Sequence, residues 1–293
     1  MIRRLAIIGV GLIGGSLARA LREAGAVKEI VGSSRRETHL GRAVELGVID
    51  RFDTDAARAV EGADMVFVSV PLGAMRSVFE RVHAALAPDA VLTDGGSAKA
   101  SVVADLEATV GAVPPWFVPG HPIAGNERSG VEAASAGLYR GRRVILTPLA
   151  QTDADATARV RAMWEAAGAR VSEMSVQHHD EVLAATSHLP HMLAFALVES
   201  LARLAEQREV FEYAAGGFRD FTRIASSDPV MWRDICIANR DALLHMLDRF
   251  SGDLVKLRAA VEAADADTLL KIFSEAKRAR DAFCDHADKE SST

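Results

Sequence analysis

Short apolar runs separated by amphipathic stretches fill the first 173 residues of the chain. Leu5–Ile8, Glu29–Val31, Met65–Val70, Ala90–Thr93, Trp116–Pro119 and Arg143–Leu146 read as strands, and many of the stretches between them repeat apolar residues at helical spacing. Strand–helix alternation of this kind predicts a parallel, doubly wound α/β sheet. Thr152–Gly168 reads as one further helix, followed by a possible edge strand at Arg170–Val171. After about Ser175 the pattern changes. Helical spacing runs from Gln177 to Glu206 and returns over Val230–Val261 and Ala266–Asp285, with breaks at Gly216-Gly217 and Ser226–Pro229. The expected organisation is a Rossmann-type domain over 1–173 and an all-helical domain over 174–293.

Composition narrows the class. With 293 residues, 49% hydrophobic and 25% charged, the chain has the balance of a soluble globular protein of about two domains. The formal net charge is −6 and the basic residues are scattered, which argues against a nucleic-acid partner. Two cysteines, Cys236 and Cys284, supply neither a disulfide framework nor a zinc site, and are expected as buried thiols. The run Leu5–Ile8 is interrupted at once by Gly9, Gly11, Gly14 and Gly15, so it does not read as a secretory signal. No apolar stretch is expected to reach the roughly 18 residues of a membrane span, and the expected location is cytoplasmic.

Gly9-Val10-Gly11-Leu12-Ile13-Gly14 follows a strand and opens the helix Leu17–Ala24. In this context Gly9 permits a tight turn, Gly11 lets backbone approach a pyrophosphate, and Gly14 lets helix and strand pack closely. The phosphates of a dinucleotide would then sit on the free N–H groups of the helix start. Leu12 and Ile13 in the turn, and Val70-Pro71 after the third strand, complete the expected cofactor contacts. The second strand ends Ser33-Ser34-Arg35-Arg36, and Ser34 stands where an NAD enzyme usually carries Asp or Glu. A carboxylate there would repel a 2′-phosphate; hydroxyls and two guanidinium groups would hold one. NADP is therefore the expected cofactor, with NAD or dual use as the alternative. On the plainer reading Arg35 and Arg36 are only a solvated helix start.

Four further segments set polar residues in apolar or glycine-rich surroundings: Thr93–Lys99, Gly120–Glu127, Ser187–His191 and Gly216–Arg223, with Trp232-Arg233-Asp234 soon after the last. The first two follow strands, at the sheet edge where open α/β folds bind ligands. Pro190 removes a backbone hydrogen bond from a long helix and kinks it. Plainer readings exist for each: His121 as a turn residue, Arg223 as a helix-flanking ion pair, His178-His179 as a helix start, and Met192, Phe195 and Leu197 as core. His188 and His191 at i, i+3 suggest a metal pair, but no Cys or carboxylate set completes it, so no metal is expected.

Taken together, GLIGGS, TDGGSAK, GHPIAGNE, SHLPH and GGFRDFTRIASSDPVMW make the chain resemble the prephenate dehydrogenases, including cyclohexadienyl and arogenate dehydrogenases, from about residue 5 to residue 285. The resemblance implies a dinucleotide-binding domain, a helical domain that forms an intertwined homodimer, and oxidation of prephenate or arogenate. It implies His121 as acceptor or general base at the substrate's C4 hydroxyl, with Ser97 helping to set the geometry. Arg223 would clamp the ring carboxylate; His191 would line the pocket, supported by His188. Glu127, Arg219 and Trp232 are assigned to the pocket rim, with a reach across the dimer as an alternative. Asn126 and Glu127 are the positions to examine for substrate choice. Inhibition by tyrosine, if any, is expected to act at the active site. Two other readings compete. A 3-hydroxyacid dehydrogenase or pyrroline-carboxylate reductase would share the layout, but Gln177–Leu201 contains no lysine to serve as the hydroxyacid enzymes' base. A dinucleotide-sensing module would not need Ser97, His121, His191 and Arg223 together.

Overall fold

The computed structural model describes residues 1–125, 128–204 and 207–291, with backbone only at 207, 208, 210 and 286–291. Two compact units result, Met1–Arg240 and Asp241–Thr293.

The first unit is built on a six-stranded parallel sheet of order β3-β2-β1-β4-β5-β6. Its strands are β1 (Ile2–Ile8), β2 (Val27–Ser33), β3 (Arg51–Phe52), β4 (Met65–Val68), β5 (Val91–Asp94) and β6 (Phe117–Val118). Helices α1 (Leu12–Glu23), α2 (Glu37–Glu45), α3 (Ala56–Val60), α4 (Met75–Val82) and α5 (Lys99–Val110) alternate with these strands. Strands β1, β4 and β5 are buried on both faces over most of their length, which is why they read as unbroken apolar runs. One core layer collects Leu5, Ile7, Leu17, Phe67 and Trp164; the other collects Ala6, Ile8, Val66, Phe79 and Phe117. The predicted doubly wound α/β fold is the observed one.

The run Trp116–Pro119 does not make one strand. β6 ends at Val118, and the chain turns at Pro119 into β7 (Gly120–Pro122), the first strand of a separate sheet with β8 (Arg143–Leu146) and β9 (Arg170–Glu173). Pro119 has no N–H to continue a ladder, and its carbonyl instead accepts Thr147 N–H at 2.9 Å. β7 and β8 are antiparallel with His121 opposite Ile145, so His121 lies beyond the main sheet rather than on its edge. Helix α6 (Ala154–Ala166) returns between β8 and β9.

After β9 the first unit is helical: α7 (Val176–Leu183), a π-turn over Ala184–His188, α8 (Leu189–Ala202), α9 (Gln207–Glu212), α10 (Gly216–Thr222) and α11 (Pro229–Ala238). The π-turn ends two residues before Pro190, and it takes up the irregularity that the missing N–H imposes on a continuous helix. Contrary to expectation, the continuous helix Val176–Ala202 is long and apolar enough by composition to cross a membrane. It nevertheless carries His179, Asp180 and His188, all buried and hydrogen-bonded to protein. The predicted helix Val230–Val261 is broken at Asn239, where α11 gives way to α12 (Arg240–Glu262). α12 and α13 (Ala266–Ser291) make up the second unit. Cys236 and Cys284 are free and half-buried rather than buried. Met192, Phe195 and Leu197 are likewise half-buried, with Phe195 packed on the second core layer.

Candidate active site

The glycine turn has the backbone a pyrophosphate needs. Gly9 has φ +100°, and a Cβ there would stand 2.4 Å from the Ser69 carbonyl oxygen, so only glycine fits. A Cβ on Gly14 would stand 2.4 Å from Gly9 O, whereas one on Gly11 would meet nothing within 4 Å. Gly9 and Gly14 thus satisfy the protein's own packing, and Gly11 faces open space. Gly11 is also the N-cap of α1, with no side chain on the first-turn amides. Those uncapped donors and the open face above them fit a dinucleotide's phosphates. The turn is held from behind by Ser69 Oγ donating to Gly9 O (2.7 Å) and Tyr139 Oη donating to Ile13 O (2.6 Å). Leu12, Ile13 and Val70 are half-buried around it, while Pro71 is exposed. At the end of β2, Ser33 is buried, Ser34 is half-buried and donates to Arg36 O at 3.4 Å, and Arg35 and Arg36 are exposed.

The Thr93–Lys99 and Gly120–Pro122 segments are fastened together by one buried ion pair, Asp94 with Lys99. Asp94 accepts Gly96 N–H (2.7 Å) and Gly120 N–H (3.1 Å), and Lys99 Nζ donates to Gly120 O (2.7 Å). Each anchored glycine precedes a predicted site residue, Ser97 or His121. On its other side this loop lies beside the cradle: a Cβ added to Gly95 would come within 3.6 Å of Ile13 Cγ2.

His121 is buried, and its Nδ1 lies 2.9 Å from His179 Nε2. His179 Nδ1 in turn lies 2.7 Å from Asp180 Oδ1. Both oxygens of Asp180 also accept amides at the start of α5, Lys99 N–H at 2.8 Å and Ala100 N–H at 2.9 Å, supplying the cap that Ala98 lacks. Burial, with the neighbouring His179, Lys99 and His188, holds the pKa of His121 well below the usual histidine value. Against the upward push of burial, the hydrogen bonds from His179, Lys99 and Ala100 keep Asp180 below the ordinary carboxylate range.

His188 and His191 converge on Trp232. The His191 ring stacks on Trp232 with centroids 3.6 Å apart, and His188 meets the same indole edge-on at 6.1 Å. Trp232 is therefore no rim residue: it is 7% exposed and forms a wall behind both histidines of its own chain. Asn239 Nδ2 donates to Asp180 O (2.8 Å) and to His188 Nδ1 (3.0 Å). His188 Nδ1 is thus an acceptor and Nε2 carries the hydrogen, and this buried Nε2 has no partner among the described residues. Burial lowers the His188 pKa to about 4.

Arg223 is exposed, at the start of a 3₁₀ turn over Arg223–Ser226 that packs on α8. Arg219 is exposed on α10. A Cβ at Gly216 or Gly217 would meet nothing within 4 Å, so the protein itself makes no close approach there. Asn126 and Glu127 lie outside the described residues.

Sequence reasoning missed His179, Asp180, Asn239 and Tyr139. For Asp180 a signal existed, a carboxylate inside an otherwise apolar helical run. For Asn239 and Tyr139 none did, because their partners are 51 to 126 residues away.

Family models for the prephenate dehydrogenase nucleotide-binding domain and dimerization domain match residues 17–173 and 175–275. The cyclohexadienyl dehydrogenase of Zymomonas mobilis is 41% identical over 95% of both chains. The prephenate dehydrogenase of Bacillus subtilis is 37% identical, over 94% of this chain and 74% of its own. Among solved structures, A. aeolicus prephenate dehydrogenase in complex with hydroxyphenyl propionate and NAD+ has a TM-score of 0.91 at 38% identity, covering 97% of this chain and 99% of that one. The chain belongs to the prephenate dehydrogenase family.

Proposed function

We propose that His121 is the base, and Ser97, Arg223, His191 and His188 the substrate-side groups, through which this chain oxidises and decarboxylates prephenate. The reaction yields 4-hydroxyphenylpyruvate on the route to tyrosine, with hydride transfer to a nicotinamide cofactor. One juxtaposition carries the assignment of residues: the Gly95–Ser97 loop lies beside Ile13 of the phosphate cradle, and Asp94 ties it to Gly120 next to His121. A base on that tether stands next to the cofactor pocket.

A bound oxidised nicotinamide supplies the hydride acceptor. His121 Nε2 accepts the C4 hydroxyl proton as hydride leaves C4, and carbon dioxide is then lost as the ring becomes aromatic. No net proton is released, so His121 hands its proton back to the phenol oxygen. A neutral, buried imidazole suits this exchange. Ser97 positions the hydroxyl. Arg223 pairs with the ring carboxylate, ideally by two parallel hydrogen bonds. His188 Nε2–H and His191 line the pocket in front of Trp232, and Arg219 and Glu127 complete its rim.

The preferred cofactor in this reading is NADP, supported by Ser33, Ser34, Arg35 and Arg36 where a carboxylate would favour NAD. Arogenate is a second substrate. The functional division falls at 173–174, between the two family matches. The protein works as a homodimer; exposed Leu254, Val255, Val261, Leu270 and Phe273 on α12 and α13 support such an interface, and a monomer in sedimentation at micromolar concentration counts against it. Feedback by tyrosine, an alternative rather than an expectation, would act at the substrate site, and the expected location is the cytoplasm.

The test is the appearance of reduced cofactor with purified protein, prephenate or arogenate, and NADP or NAD in parallel. Turnover abolished in a folded His121→Ala variant supports the base; full turnover in that variant overturns it.

A further inference from the structure

We propose that His179 and Asp180 are positioning residues, a relay that fixes the tautomer of His121 and takes up the charge it acquires when it removes the substrate proton. The inference rests on His121 being the base, and its own observation is a continuous chain of three buried side chains running away from the site.

Only one assignment of hydrogens satisfies that chain. The Asp180 carboxylate already accepts two backbone amides, Lys99 N–H and Ala100 N–H, and as a carboxylate it can only accept. Its third neighbour, His179 Nδ1 at 2.7 Å, must therefore be the donor. In a neutral imidazole the other nitrogen is then an acceptor, so His179 Nε2 presents a lone pair to His121 Nδ1 at 2.9 Å. His121 Nδ1 must carry the hydrogen, which leaves the lone pair on its Nε2. Among the described residues, no other hydrogen bond of His121 selects the tautomer a base requires.

The relay also answers an electrostatic difficulty. His121 has Lys99 and two other histidines around it and is buried. A lone imidazolium there would be costly. When Nε2 takes the hydroxyl proton, the Nδ1 proton moves along its hydrogen bond to His179 Nε2. His121 is then neutral again, with its hydrogen on Nε2, and the positive charge sits on His179 against the Asp180 carboxylate. Return of the proton to the phenol oxygen reverses both transfers, and no oxidant or further proton source is needed. Asp180 stands to His179 as the aspartate stands to the histidine of a serine-protease triad, fixing its tautomer and stabilising the imidazolium without taking the proton.

The direct test is side-chain ¹⁵N NMR of the histidines in the unliganded protein near neutral pH, with His121 assigned by its loss in His121→Ala. A pyrrole-like Nδ1 and a pyridine-like Nε2 at His121 are expected. The opposite pattern in the wild-type protein overturns the proposal whatever the kinetics show, and the measurement is independent of turnover, so it separates the relay from the assignment of the base. Two variants extend it. His179→Phe removes the acceptor; the His121 hydrogen is expected to move to Nε2 and kcat to fall about 10²–10⁴-fold, with the KM for prephenate changed only a few-fold. His179→Gln restores an acceptor oxygen, and recovery of the tautomer with part of kcat is expected. A folded His179→Phe protein with wild-type kcat overturns the proposal.

Discussion

Lys99 and Asp94 form an ion pair from which water is wholly excluded, and the loops carrying Ser97 and His121 are both bonded to it. Burial pulls the Lys99 pKa down while Asp94 pulls it up, and the net direction is down. Such a pair is weak evidence of net stabilisation, but removing one partner leaves an uncompensated buried charge. Lys99→Met is therefore expected to cost about 3–5 kcal/mol, read as a lower urea midpoint at unchanged m-value. The double variant Lys99→Met/Asp94→Asn should recover part of the loss, because no charge then remains. A loss in the double variant equal to the sum of the losses in Lys99→Met and Asp94→Asn would show the pair to be uncoupled.

The glycines of the phosphate turn separate packing from binding. Gly14→Ala forces a Cβ to 2.4 Å from Gly9 O and close to Ile7 and Ser69, so a drop in thermal midpoint is expected. Gly11→Ala meets nothing in the protein and should leave the midpoint unchanged, but its methyl group occupies the face the pyrophosphate approaches. The expected result is a cofactor Kd about tenfold weaker or more, roughly 1.4 kcal/mol, by fluorescence titration. Unaltered cofactor affinity in Gly11→Ala would place the phosphates elsewhere.

Much of this was legible because it is local. The buried strands and the glycine turn announce themselves within a few residues, and the sheet follows from their alternation. What was not legible depends on contacts across the sequence. Pro119 diverts the chain out of the main sheet, and only the pairing of β7 with β8 shows that His121 sits on a different sheet from Asp94. His179 looked like one of two adjacent histidines at a helix start, and it does lie in the first turn of α7. Its importance comes from His121, 58 positions earlier. The resemblance puts Trp232 at the rim; its ring is buried because α11 turns it onto His191.

Cofactor choice turns on Ser34, half-buried beyond the end of β2 with Arg35 and Arg36 exposed beside it. Ser34→Asp places a carboxylate where a 2′-phosphate would lie. Like-charge contact of this kind costs several kcal/mol, so the NADP/NAD ratio of kcat/KM is expected to fall by about two orders of magnitude. Steady-state kinetics with both cofactors read it directly. A wild-type enzyme that already prefers NAD, with no change in the variant, would remove Ser34 from the cofactor site.

Acid should cost this protein both activity and stability, through the same buried histidines. The groups facing them are Asp180, Lys99 and Asp94, together with the histidines themselves. His121, His179, His188 and His191 all have folded-state pKa values below the ordinary 6.5, burial being the largest cause in each case. The unfolded chain therefore binds more protons than the native one once the pH drops below about 6.5, and stability must fall with pH there. For His188 the window runs from 6.5 down to its folded value of about 4. At about 1.4 kcal/mol per pKa unit, this one residue accounts for about 3 kcal/mol across that window. Thermal melts between pH 7.5 and 4.5 should show a falling midpoint, with a shallower slope in a folded His188→Gln variant. Catalysis should survive further into acid than a free imidazole would allow, because His121 stays neutral below 6.5. An acid limb of kcat/KM centred at or above 6.5 would contradict a buried, neutral His121 as the base.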